Sequence, residues 1–126
     1  MVWGDWIAEW GRRDEPEHLR RGRLGERAAR RQLSKAGLKF LYANFSSENG
    51  EIDLVFREAK TLVFVEVKTR SSESWSRPAA AVNGEKQRKL IATARDYLRL
   101  LRHSDVPYRF DIVEVLLADG CVEEVR

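Results

Sequence analysis

The order of its hydrophobic patterns makes this chain an α/β protein, with a mixed central sheet flanked by helices. Three observations carry that expectation. Glu51–Arg57 and Leu62–Thr69 are apolar runs separated by a polar turn around Glu58–Lys60, the signature of a hairpin. Helical spacing precedes the pair over Leu24–Lys35 and follows it over Gly84–Arg102. A last strand, Tyr108–Ala118, gives the order helix, three strands, helix, strand, and Cys121–Val125 can pair with it as a short hairpin. A chain of 126 residues is long enough for one domain with one modest core.

Taken in order, residues 1–20 read as a Trp-rich arm and residues 21–126 as the folded domain. Trp3, Trp6, Ile7 and Trp10 fall on one stripe of a short helix, suited to docking on this domain or on a second copy. The charged run after Gly11, interrupted by Pro16, reads as a solvated linker. The first helix of the domain, Leu24–Lys35, ends at Gly37 and carries Glu26 on its apolar side with Ala29, Leu33 and Ala36. Leu38–Ala43 is a short strand candidate, and Asn44–Gly50 a polar loop leading into the hairpin. A Ser-rich loop with Trp75 and Pro78 follows the hairpin, and Asn83 is a candidate cap for the second long helix. That helix has an apolar stripe of Leu90, Ala94, Tyr97, Leu98 and Leu101. Lys86, Arg88 and Lys89 in its first turns oppose the helix dipole, which hints at an external anion.

The hairpin holds the charges that need explaining. Strand side chains alternate between faces, so Ile52, Leu54 and Phe56 share one apolar face with Val63, Val65 and Val67. The other face carries Asp53, Val55, Phe64, Glu66 and Lys68. Any even-length loop keeps Asp53 and Glu66 on the same face, diagonal for a two-residue loop and directly opposite for a four-residue one. Two carboxylates side by side on a half-buried sheet repel, and their desolvation costs several kcal/mol unless a positive partner joins them. A divalent cation with retained waters suits hard oxygen ligands of this kind. The bland alternative is a cross-strand ion pair between Asp53 and Lys68, with Glu66 solvated at an edge.

Composition narrows the partners. Lys and Arg number 23 against 20 Asp and Glu, a net charge of +3, which permits a phosphate-rich partner without demanding one. Cys121 is the only cysteine, so neither an internal disulfide nor a cysteine-based zinc site can form. A reduced, cytoplasmic setting is expected. No apolar run approaches the roughly 18 residues of a membrane span.

Glu26, then Gly50-Glu51-Ile52-Asp53, then Glu66-Val67-Lys68 on the following strand together resemble the PD-(D/E)XK, or restriction-endonuclease-like, superfamily. Within it the chain is similar to archaeal Holliday-junction resolvases and, more closely, to the YraN-type family of bacterial endonuclease-like proteins. The likeness runs from about Leu24 to Val115 and includes LGE at 24–26, NGEIDLV at 49–55, LVFVEVKTR at 62–70, the helix around Lys86, and RFDIVEV at 109–115. Ile52 stands where the superfamily's name places a proline.

This resemblance implies an αβββαβ core and a metal-dependent endonuclease. Glu26, Asp53, Glu66 and Lys68 would be catalytic. Asp53, Glu66 and the Val67 carbonyl would hold Mg²⁺ or Mn²⁺, with Glu26 acting through water. Lys68 would position the attacking water and help deprotonate it, leaving a 5′-phosphate and a 3′-hydroxyl. Arg70 and Lys86 are candidates for the scissile phosphate, and Asp111 is expected to be structural. The implied substrate is DNA, branched or junction DNA by likeness to the resolvases, with a homodimer expected because two strands must be cut. Two other readings compete: a non-catalytic nucleic-acid-binding or assembly module that keeps the nuclease fold, and a protein-interaction domain working through the Trp arm.

Overall fold

The computed structural model describes residues 16–71, 84–102, 105–118 and 120–126. The Trp stripe, Trp75, Pro78 and the candidate cap Asn83 lie outside them. The elements are helix α1 (Glu17–Lys35), strands β1 (Lys39–Ser47), β2 (Gly50–Glu58) and β3 (Thr61–Ser71), helix α2 (Gly84–Leu101), and strands β4 (Tyr108–Ala118) and β5 (Cys121–Val125). They form one five-stranded sheet in sequential order, antiparallel throughout except for the parallel pair β3–β4. This is the expected αβββαβ arrangement, with β5 added as an antiparallel edge.

Helix α1 begins at Glu17, earlier than the expected Leu24, and runs through the residue-20 boundary. Pro16 starts it rather than breaking the chain: the Pro16 carbonyl accepts from the Leu19 and Arg20 amides, both at 3.1 Å. Residues 17–20 are exposed, so this first turn buries nothing and leaves no apolar period in the sequence. The other end is a Schellman cap. Gly37 takes φ 98°, its amide bonds the Ser34 carbonyl, and the Leu38 amide reaches back to Leu33. Leu33 and Leu38 then both pack into the core beneath α1.

Strand β1 continues to Ser47, through the expected loop. Two irregularities hid it. Leu41 is an extra residue, since Phe40 pairs with Phe56 but Tyr42 with Val55. Asn44 takes φ 55°, a conformation that Asn tolerates better than most residues. The connection to β2 shrinks to Glu48 and Asn49, pinned to α2 by Asp96, which accepts from Ser47 Oγ and Asn49 Nδ2 at 2.7 Å each.

Two apolar layers cover the sheet. Leu54, Phe56, Val63, Val65, Val113, Val115 and Leu117 pack with Ala29 under α1. Phe45, Ile52, Val55, Leu62 and Phe64 pack with Ala94, Tyr97 and Leu98 of α2. Leu101 falls outside this stripe, 40% exposed. Ile52 is a correction: it joins the α2 layer, not Leu54 and Phe56. The face reverses between Ile52 and Leu54, alongside the left-handed Asn44 of β1, and Asp53 stands at the reversal.

Candidate active site

Asp53 and Glu66 meet where the central hairpin opens. The ladder of β2 and β3 runs from Glu58↔Thr61 to Leu54↔Val65, so the next residues along, Asp53 and Glu66, face each other. The loop has two residues, Ala59 and Lys60, yet the offset is not the expected diagonal. The position of the loop decides the offset as much as its length: with Ala59 and Lys60 in it, Glu58 pairs with Thr61, and the carboxylates fall opposite. In place of a further ladder bond, the Val67 amide donates to Asp53 Oδ2 at 2.8 Å.

Both carboxylates are costly where they sit. Burial pushes the Asp53 carboxyl above its ordinary value; the Val67 amide and Lys86 oppose this, while Glu66 and Glu51 add to it. Glu66 Oε1 is ion-paired with Lys86 Nζ, whereas Glu66 Oε2 is buried without a hydrogen-bond partner. Such an oxygen carries its full desolvation penalty. Asp53, Glu66, Glu51 and Lys86 line a cavity of about 390 Å³ between the sheet and the start of α2.

Glu26 arrives from α1. Burial, and then the charges of Asp53 and Glu51, raise its carboxyl, but it is not part of the cavity lining. Gly25 makes that approach possible: a Cβ built there would stand 1.9 Å from Thr69 Oγ1 of β3. The short LGE segment therefore has a physical reason for its glycine. Gly50 is similarly confined, with φ 149° and Thr93 Oγ1 3.1 Å from a built Cβ.

The remaining candidates divide. Lys68 lies two residues beyond Glu66 on the same face, half-buried and aligned with Glu114 of β4. It is not part of the cavity lining. Among the described residues it forms no ion pair with Asp53, whose Oδ2 is taken by the Val67 amide. Arg70 lies further along, 3.7 Å from Glu114 Oε2 and away from the cavity. Lys86 does join the acids, as the partner of Glu66. Asp111 borders the cavity and is paired with Arg109 at 3.2 Å.

Glu51 is the residue the sequence reading missed. It passes as an outward strand position, and it is exposed, but it lines the same cavity as Asp53 and Glu66. The acids form a loose cluster: among the described residues no three His, Cys, Asp or Glu side chains converge as a metal-holding group. Two carboxylates with one oxygen lacking a donor still fit a hard cation that keeps much of its water shell.

Residues 25–115 match the model of "Uncharacterised protein family UPF0102". The chain is 40% identical over 106 residues to a UPF0102 protein of Syntrophus aciditrophicus, covering 83% of this chain and 84% of the relative. It is 42% identical over 96 residues to one from Vibrio campbellii, covering 75% and 79%. A third, from Caldanaerobacter subterraneus, is 43% identical over 96 residues, covering 76% and 79%.

Proposed function

This chain belongs to the family UPF0102, and from that premise and the geometry of its carboxylates we propose a metal-dependent endonuclease that hydrolyses phosphodiester bonds in DNA. The proposal includes membership of the PD-(D/E)XK superfamily. One observation carries it: Glu66 buries a carboxylate oxygen with no donor, in the same cavity as a second, half-buried carboxylate, Asp53. A fold tolerates that arrangement at a cost unless a cation uses it.

In this reading Asp53, Glu66 and the Val67 carbonyl hold Mg²⁺ or Mn²⁺, and Glu26 supports the shell through water. The cation supplies Lewis-acid stabilisation of the charge that builds on the phosphate oxygens. Lys68 holds the attacking water in line with phosphorus and assists its deprotonation. Lys86, releasing Glu66, is the cation beside the scissile phosphate, and Arg70, releasing Glu114, would reach the DNA backbone further along β3. Branched or junction DNA is the proposed target, with two copies acting together.

A second reading has its own support. Lys86 already neutralises one oxygen of Glu66, and among the described residues the acids do not converge as a three-residue group. Both features suit a module that binds DNA without cutting it. The deciding experiment offers labelled single strand, duplex, flap and four-way junction to the protein with Mg²⁺, beside Glu66→Ala and Lys68→Ala. Cutting of one substrate that disappears in both variants is the expected result. Salt-sensitive binding with no cutting at any metal concentration would favour the module. Cutting at wild-type rate in both variants would refute the site assignment.

A further inference from the structure

Besides its acids, Lys86 and Gln87, the cavity has a large apolar share. Phe64, Phe110 and Ile112 contribute from the sheet, and Leu90 and Ile91 from α2. A hydrated cation or a phosphate has no use for such a surface. Phe110 and Ile112 remain 37% and 38% exposed, although they stand on the same sheet face as the buried Phe64. The Phe110 ring is braced rather than loose. It lies 5.5 Å from the Phe64 ring at a tilt of 32°, with Tyr108 perpendicular at 5.8 Å. Ile112 is the ladder partner of Glu66 in β4, so the apolar surface begins one strand away from the carboxylates.

Resting on the nuclease reading, we propose that this cavity receives one unstacked nucleobase of a DNA strand, next to the phosphate held at Asp53 and Glu66. A braced aromatic edge and aliphatic walls suit the flat, weakly polar face of a base. The volume of about 390 Å³ lies in the range of small-molecule sites. The cation held by the acids, together with Lys86, would draw in the anionic backbone to which that base is attached. A base stacked in a duplex cannot enter. It must leave the helix, at a cost that is smallest where it is already unpaired. The site therefore selects DNA with an unpaired nucleotide beside the scissile phosphate.

The test uses the full chain in Ca²⁺, with DNA carrying 2-aminopurine either unpaired or fully paired at one position. Affinity is read by anisotropy and base environment by 2-aminopurine fluorescence. Phe110→Ala removes the stacking edge, and Ile91→Trp fills the cavity from the helix side, so that one variant serves if the other fails to fold. Wild type is expected to bind the unpaired DNA about ten-fold more tightly than the paired, the scale of one stacked base. Its fluorescence should change on binding only when the 2-aminopurine is unpaired. Both variants should lose this preference while keeping their affinity for paired DNA. Equal affinity of wild type for the two DNAs, or equal loss on both in the variants, overturns the proposal. Undiminished cutting of flaps by both variants in Mg²⁺ overturns it while leaving the nuclease standing. A base-dependent signal with no cutting of any DNA sustains the pocket and removes the nuclease.

Discussion

The two ends of the central hairpin are made of the same two strands and behave in opposite ways. Toward the loop, β2 and β3 are fully paired, and Leu54, Val55, Phe56, Val63 and Phe64 are each at most 2% exposed. Beyond Leu54 and Val65 the ladder stops, a side chain takes over the Val67 amide, and two acids are partly buried together. One end holds the fold, and the other is held by it. Surplus stability at the closed end lets the open end keep groups that no folding requirement explains.

The contrast is sharpest under truncation. Phe56→Ala at the closed end should cost about 3–5 kcal/mol, read by chemical denaturation, because its ring is fully buried between sheet and α1. A loss below about 1 kcal/mol there would break the comparison. The next effect is expected at the junction of the ends. Gly25→Ala forces a methyl into Thr69 and should cost about 1–3 kcal/mol, partly restored by adding Thr69→Ala. Absence of rescue would mean that the helix approach is set elsewhere.

At the open end the sign reverses. Asp53→Asn should raise the melting temperature of the metal-free protein by a few degrees at neutral pH. The folded protein holds the Asp53 carboxyl above its ordinary 3.8, mainly through burial. Its ionised form is thus disfavoured in the fold, and the wild-type protein loses stability as pH rises through that range. The advantage of the variant should accordingly shrink on acidification toward 3.8, where wild type also becomes neutral. Adding Mg²⁺ should stabilise wild type and not the variant. Smallest of all, Arg109→Ala should leave the melting temperature almost unchanged, because its bridges to Glu58 and Asp111 are exposed.

The closed end was legible from sequence because burial writes a period into it. Apolar alternation identified the hairpin, Asp53 and Glu66 stood out against it, and Glu26 stood out on the apolar side of its helix. What escaped left no such period. The exposed first turn of α1 buries nothing, and the polar end of β1 stays paired through an extra residue and a left-handed Asn44. The reversal that turns Ile52 toward α2 breaks the two-residue period itself, so alternation cannot register it. Glu51 escaped because a strand carboxylate usually marks solvent. The pairing of Lys86 with Glu66 joins residues on different elements, and only the docking of α2 brings them together.

The parallel union of β3 with β4 also bears on the order of folding. The β1–β2–β3 meander closes through two-residue connections and can form locally, whereas Leu62 finds Tyr108 only after α2 and its flanking segments have been looped back. Closing that long loop costs entropy before its contacts repay it, so the β3–β4 seam is expected to form late. Asp53 and Glu66 would therefore confront each other in a half-built sheet, still open to water and screened by salt. Refolding of wild type should then be little slower than that of Asp53→Asn, with their difference in stability appearing in the unfolding rate.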